Sequence, residues 1–528
     1  MNTNIFTLGK SIALIALINI GLINNSKAQS DDLMIEFGRN LSFGTARTLG
    51  TGNAFGAVGA DLGSIGTNPA GLGLMRGTEF SISPMLISSR TSTTFANDIS
   101  KESKTKMGIG NFGASFFFPN QKEGSRWKGW SIGLDYNRTN DFNKQLYYSG
   151  RTKGTMLSYF TQQANGYSFA QINNQGYGTA YLASATGLIY APTATPTTWS
   201  SDYADSTSTV KTESAQMRGN MAEFNLAFGC NYNHKIYFGG SINFHSFRYE
   251  FNRSYTESGF SFPSDDFHIN NFNYNESYST VNETTDDSTP QSKTSFSVSG
   301  TFGLIARPIT PLRLGLSVKT PTILSAQDVY DQSSMKTSLF IQGNNQSVPQ
   351  NNTYEATDDA GSYIPYNIVL PARVTGSAAF FFGKHGFISA DVDWQDYSTT
   401  YVDFNDPSYK AEEKRVNDNI AAKYQGAFNL RFGGEYAYEI FRVRAGYSYS
   451  GSPLNPTKAG IVSIPNDVQQ ISFGAGIRTQ SFFLDFAYAM RMSKFGYAPY
   501  DLANNKYPVF TTNTLNSSFF VVTAGFKL

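Results

Sequence analysis

From about residue 80 the chain alternates between apolar and polar positions. Tyr424, Gly426, Phe428, Leu430, Phe432, Gly434 and Tyr436 share one parity, and Gln425, Ala427, Asn429, Arg431, Gly433 and Glu435 share the other. Leu312, Leu314, Leu316 and Val318 alternate with Arg313, Gly315, Ser317 and Lys319, and Phe482 to Arg491 repeats the scheme. A period of two is the pattern of a strand with a different medium on each face. It predicts fourteen strands, at 79–92, 106–119, 127–142, 218–232, 236–255, 294–308, 311–325, 371–383, 386–399, 424–438, 440–450, 468–479, 481–493 and 516–528. Short connections (Asn233-His234-Lys235, Ile309-Thr310-Pro311, Gly383-Lys384-His385, Thr479-Gln480-Ser481) alternate with long ones, roughly 143–217, 256–293, 327–369, 400–423, 451–467 and 494–515. Short turns on one side and long loops on the other are expected of a transmembrane antiparallel β-barrel, with apolar residues toward lipid and polar ones toward the lumen.

Two N-terminal stretches stand outside this pattern. Lys10, the apolar run Ser11 to Ile23 and Ser26-Lys27-Ala28 read as a secretory signal peptide over 1–28, cleaved near Ala28. Gly44 to Gly73 holds nine glycines and, beyond Arg47 and Asp61, no charge. It ends in the turn signal Asn68-Pro69-Ala70-Gly71. A barrel of fourteen strands is too wide for its own side chains to fill, so residues 29–78 are expected as a plug in its lumen and 79–528 as the barrel. The reading of Gly50 to Gly56 as a dinucleotide loop fails on its spacing and on the lack of a βαβ pattern.

Loss of Lys10 and Lys27 would leave 41 − 2 = 39 basic residues against 40 acidic ones, which offers nucleic acid no electrostatic attraction. One cysteine, Cys230, excludes an internal disulfide framework, and the four histidines have no metal spacing. Asp391, Asp393 and Asp396 lack the glycine turn and distal glutamate of a calcium loop. No metal, cofactor or nucleophile–base constellation is expected, and the chain does not read as an enzyme.

The Gly/Ala-rich run closing in Asn68-Pro69-Ala70-Gly71, between a signal peptide and the first strand, resembles the hatch of the FadL family. Leu370-Pro371-Ala372-Arg373-Val374-Thr375-Gly376 resembles the start of a middle strand of that family, and Asp391-Val392-Asp393-Trp394-Gln395-Asp396-Tyr397-Ser398 resembles the next. Arg444-Ala445-Gly446-Tyr447-Ser448-Tyr449 and Ser452-Pro453-Leu454 resemble a later strand and its loop. The resemblance implies passive import of long-chain fatty acids or other hydrophobic compounds across the outer membrane, amid outer-membrane lipid and lipopolysaccharide. Outer loops capture the solute, a pocket near the hatch holds it, and a kink in the third strand lets it leave sideways. The resemblance also admits a protein-secretion role with protein partners, as in related barrels of the type IX system.

Asn68, Pro69, Ala70 and Gly71 are then the candidate gating residues. Wall distortion is expected at Gly110-Asn111, where the apolar parity switches between Ile109 and Phe112, and at Gly133 in the third strand. Of the arginines on polar faces, Arg373, Arg431, Arg442 and Arg444 are the candidates to meet a solute carboxylate, because a guanidinium is a planar donor fork. The remaining luminal charges are expected to pair with each other. Tyr181-Leu182-Ala183 and Gly187-Leu188-Ile189-Tyr190 mark either a folded cap offering a landing site or a loop packed on itself.

Overall fold

The computed structural model describes residues 31–39, 41, 43–175, 178–191, 197–203, 206–260, 267–281, 297–341, 350–358, 363–404, 406–455, 464–502 and 506–528. The expected signal peptide over 1–28 lies outside the described residues. The N-terminal part holds helices α1 (Asp31–Gly38) and α2 (Ala46–Gly50) and two 3-10 turns, Leu62–Ser64 and Pro69–Leu74. Strands β1 (Glu79–Phe95), β2 (Asp98–Pro119), β3 (Trp127–Asp141) and β4 (Lys144–Lys153) lead to helices α3 (Met156–Ala164), α4 (Phe169–Gln175) and α5 (Thr179–Ala185). Next come β5 (Ser208–Tyr232), β6 (Ile236–Ser258), β7 (Phe267–Val281), β8 (Val298–Ile309), β9 (Leu312–Lys319), β10 (Thr322–Ile341), β11 (Gln350–Asp358) and β12 (Tyr363–Leu370). Strands β13 (Arg373–Phe381), β14 (Gly386–Asp396) and β15 (Tyr401–Phe404) precede helix α6 (Lys410–Lys423). The chain finishes with β16 (Gly426–Tyr438), β17 (Phe441–Ser450), β18 (Val468–Arg478), β19 (Phe482–Tyr497) and β20 (Thr511–Lys527).

All twenty strands belong to one antiparallel sheet. Its pairings run β1, β2, β3, β5, β6, β8, β9, β13, β14, β16, β17, β18, β19, β20 and then return to β1, so the sheet is a closed barrel. Burial is inverted relative to a water-soluble fold. Ser83, Asp391 and Thr523 are fully buried, while Ile82 is 50% exposed and Phe302 65%. Outward apolar and inward polar side chains are what a lipid environment selects.

The regions read from sequence as long polar loops carry much regular structure. Strand β4 continues the sheet beside β5, β7 joins β6 to β10, and β10 pairs with β11 and β12. The wall strands thus extend outward past the lipid-facing band. These extensions read as loops in the sequence because they are rich in Asn, Ser, Thr and Tyr, although in β7 the buried Phe272, Tyr274 and Tyr278 alternate with Asn271, Asn273 and Asn275. The apolar islands of 143–217 fold inward: Leu182, Ala183, Leu188 and Ile189 are buried in one core with Phe37, Phe142, Phe160, Phe272 and Tyr274. This aromatic core closes the outer end of the barrel.

Candidate functional site

Leu41 and residues 43–75 lie inside the closed sheet and bond to it on every side. The amides of Phe55 and Gly56 donate to Asp391 Oδ2 at 3.1 and 3.0 Å, Gly52 donates to Ser472 Oγ, and Ala46 to Thr523 Oγ1. In the other direction, Arg313 donates to the Val58 carbonyl, Ser317 to Thr67 and Ser389 to Ala54. A segment without regular ladders must find such partners for its backbone groups. It also needs room, and the wall supplies glycines. A Cβ at Gly229, Gly239, Gly315, Gly433 or Gly446 would fall on backbone atoms of Gly73, Ala70, Gly56, Thr51 or Gly52. These positions lie on β5, β6, β9, β16 and β17, so a belt of glycine circles the segment.

Charges fasten the same segment. Arg47 reaches Glu435 at 3.0 Å and Asp61 at 3.8 Å. Fully buried Arg444 joins Glu435 (2.7 Å) to Asp485 (2.8 Å), and Arg478 joins Asp485 back to Asp61. Burial works to lower the Arg47 pKa. The fields of Glu435 and Asp61 outweigh it and hold the group above the ordinary guanidinium value, so Arg47 stays charged.

Asn68, Pro69, Ala70 and Gly71 form the first turn of the 3-10 element that ends the segment. Asn68 Oδ1 accepts from the Ala70 amide, and its Nδ2 donates to the carbonyls of Gly56 (2.7 Å) and Leu304 (3.4 Å). One side chain therefore ties the exit of the segment to its middle and to β8. Asn68→Ala is expected to cost about 1–3 kcal/mol, because buried backbone groups lose their partners. Thermal unfolding in detergent reads the loss; an unchanged transition would show that the side chain ties nothing.

The wall is irregular where β2 meets β3. The β1–β2 register slips at Ser83/Pro84, leaving Gly110 without an opposite residue. Pro84 has no N–H to give at that point. Pairing between β2 and β3 stops at Asn111↔Asn137. Beyond it, Asp98–Gly110 pairs with β1 alone, while β3 stays on β5 with a second slip between Arg138 and Asn140. The result is an unzipped seam. Gly133 is not part of it: the ladders run through Gly133 unshifted on both sides, and its missing side chain makes room for Ile65 and Leu72. The third strand slips against β5 at Lys128 and at Thr139 instead, and the second of these borders the seam. The N-terminal segment patches the seam from inside. Leu41 and Phe43 donate to the carbonyls of Thr139 and Arg138, and Asn140 Nδ2 donates to the Glu36 carbonyl.

The four candidate arginines do not converge. Arg431 is held by Asp393 through two hydrogen bonds of 2.7 Å. Arg444 belongs to the network above. Arg442 bonds the carbonyls of Glu439 and Phe441 at a short turn. Arg373 alone lines a cavity, of about 30 Å³, with Arg39, Glu223, His245, Lys319 and Gln395. A second cavity of about 60 Å³ lies beside the seam, lined by Glu36, Arg39, Asn140, Asp141, Lys144 and Arg491 among others. Each is smaller than the ~150 Å³ that takes a benzene ring, so neither admits a greasy solute unless side chains or the segment itself move aside. Lys319, paired with Glu223, and the seam residues Lys106 and Asp141 went unnoticed in the sequence. Only the parity switch at Gly110 pointed to the seam.

The sequence model of an outer membrane protein transport family (OMPP1/FadL/TodX) matches residues 41–514. No curated protein matches the chain. Among solved structures, the chain is similar to a Pseudomonas aeruginosa FadL homologue at 11% identity and a TM-score of 0.50, over 92% of this chain and 98% of that one. It is similar to the P. putida toluene transporter TodX at 13% identity and a TM-score of 0.46. The Ralstonia pickettii toluene transporter TbuX follows at 12% and 0.42; both cover 92% of this chain and 98% of their own. At these identities a likeness speaks for the fold alone, and of the three only the first has the TM-score to carry it. With nearly the whole described barrel inside the matched range, the chain belongs to the OMPP1/FadL/TodX family of outer-membrane transport proteins.

Proposed function

We propose that this protein is a passive outer-membrane channel for hydrophobic compounds, in which residues 29–78 act as a hatch within a wall of fourteen strands. The pairing circuit supports that strand number, and the enclosure of Leu41 and residues 43–75 supports the hatch. The observation that carries the reading is the patched seam. Leu41 and Phe43 cap the open edge of β3, so movement of the hatch would uncover the gap between β2 and β3. An uncapped sheet edge is excluded from lipid unless it lines a polar opening. Hatch release and lateral escape into the membrane are thereby one event. Asn68 to Gly71 anchor the hatch, and Gly110 with Asn111 sets the lower lip of the exit. Long-chain fatty acids and aromatic hydrocarbons are the substrate classes to compare, the latter because TodX and TbuX are described as toluene transporters. Export by a signal peptide cleaved near Ala28 completes the reading.

A tethered hatch tests it. A Cβ at residue 56 would stand 3.0 Å from that of Ser377, which slight relaxation brings to the ~3.5–4.5 Å of a disulfide. Gly56→Cys with Ser377→Cys, in a Cys230→Ser background, is expected to take up a labelled fatty acid or arene under reductant. Oxidation is expected to stop it. Equal uptake in both states would remove the hatch from the mechanism. Absence of uptake for every hydrophobic probe, with a stoichiometric protein partner recovered on purification, would favour the secretion role.

A further inference from the structure

We propose that three neighbouring short turns bind the phosphate of an anionic phospholipid. The turns join β2 to β3, β5 to β6 and β8 to β9, and backbone bonds hold them side by side. The Asn233 amide donates to the Arg126 carbonyl and the Arg307 amide to the Lys235 carbonyl, each at 2.6 Å. Residues 120–128, 233–235 and 307–311 carry Lys122, Arg126, Lys128, Lys235 and Arg307 against a single carboxylate, Glu123. The chain as a whole is balanced, with 41 basic and 40 acidic residues, so the surplus is one of placement.

The protein leaves these cations to an outside anion. Arg126 donates to the Tyr232 hydroxyl at 3.4 Å and Arg307 to the Thr310 carbonyl at 3.1 Å. Neither contact neutralises a charge, and none of the five cations forms an ion pair among the described residues. Lys122, Arg126 and Lys235 are exposed. A guanidinium offers a phosphate two parallel donors, and an ammonium offers a compact charge.

The rings beside the charge select a lipid. On the outward face of the same strands, Phe118 stacks on Trp130 at 4.1 Å, Trp130 meets Phe228 at 6.1 Å, and Trp127 packs edge-on against Tyr232 at 5.1 Å. Trp127, Trp130, Phe228 and Phe238 are all exposed. Aromatic rings gather where a barrel passes from acyl chain to head group, so this shelf puts the turns at the level of phosphate. Short turns of an outer-membrane barrel face the periplasm, and the leaflet on that side is phospholipid. An acidic protein would engage the cations and leave the rings bare. A phospholipid answers both, with its phosphate on the cations and its acyl chains along the rings. Five positive charges favour a head group of net negative charge over one that carries its own ammonium. The site goes beyond transport, because it fixes the wall in one leaflet whatever the lumen carries.

Trp127 and Trp130 report the occupant. Trp394→Phe removes the third lipid-exposed tryptophan, and Trp199 is buried in the cap. In that background, quenching by phosphatidylglycerol brominated on its acyl chains is compared with quenching by brominated phosphatidylcholine in mixed vesicles. The protein is expected to favour phosphatidylglycerol about fivefold, the worth of one cation near an anionic surface. Lys122→Gln with Arg126→Gln and Lys235→Gln is expected to bring the two lipids near parity. Salt at about 1 M is expected to do the same without any substitution at the turns, which keeps the test alive if the triple variant does not fold. Lys101→Gln with Lys153→Gln and Lys506→Gln takes as much charge from exposed positions at the opposite end, and is expected to leave the preference intact. Parity with the turns unaltered, a preference that outlasts the three turn substitutions or the salt, or an equal loss in the opposite-end control would overturn the site. So would parity together with a stoichiometric acidic protein that the turn variant fails to hold, which would give the cations to a protein partner.

Discussion

Gly446→Val is expected to turn a nearly closed barrel into an open pore. Gly446 pairs with Gly433 across β16 and β17, and Thr51 and Gly52 lie against both. A Cβ at 446 would fall on the Gly52 amide and the Thr51 carbonyl carbon. Backbone cannot rotate away as a long side chain would, so the segment must lift. The wall itself should tolerate the change, because valine suits a strand. Overpacking costs about 1–3 kcal/mol where nothing yields, and here the segment, held by individual hydrogen bonds, yields before the mutually paired strands of the wall do. Planar-bilayer recordings are expected to show a several-fold rise in ion conductance, with folding unchanged by gel mobility before and after heating. Wild-type conductance in the variant would mean that the segment shifts locally and keeps the lumen closed.

Arg444→Ala is expected to be the most destabilising single change in the barrel interior. The guanidinium is fully buried, with Glu435 and Asp485 on either side. Its removal leaves Glu435 with Arg47 alone and Asp485 with Arg478 alone, and opens a hole between them in the lumen wall. Breaking a buried ion pair by deleting one partner costs about 3–5 kcal/mol. A lower thermal transition in detergent measures the loss. Arg442→Ala is the control: that side chain bonds only carbonyls at a turn, and its removal is expected to shift the transition little. Equal shifts would mean that the network does not act as a unit.

The wall was legible in the sequence because lipid enforces a strict rule at every second position. Phe428, Leu430 and Phe432 have no alternative to facing outward, and Asp391 and Asp485 none to facing inward. The Gly-rich segment that we propose as the hatch drew notice for a different reason: only glycine allows backbone to seat against backbone, as at Gly52 and Gly446. The outer extensions were not legible. In β7 the buried Phe272, Tyr274 and Tyr278 do alternate with Asn271, Asn273, Asn275 and Ser277, but a stretch so rich in Asn and Ser reads as a polar loop. The seam was half legible. A parity switch revealed the extra residue at Gly110, but the meeting of Lys106 with Asp141 depends on where two ladders end. Arg431 and Arg444 were chosen for a solute on residue type, and the structure gives them carboxylates of the protein instead.

The join between β1 and β20 also governs the order of events in assembly. Glu79 sits beside Lys527 and Thr94 beside Thr512, so the barrel closes between its first and last strands. No closed cylinder exists until the last strand has been made and delivered, and contacts this distant in sequence form slowly. Until then β1 and the last strand paired each present an unpaired edge. The Gly-rich segment, made before any strand, must already be in place when that last junction forms, or else be threaded into a finished pore. Assembly thus favours enclosing the plug over inserting it, and a catalyst of outer-membrane insertion would have to hold the β1 edge open until β20 arrives.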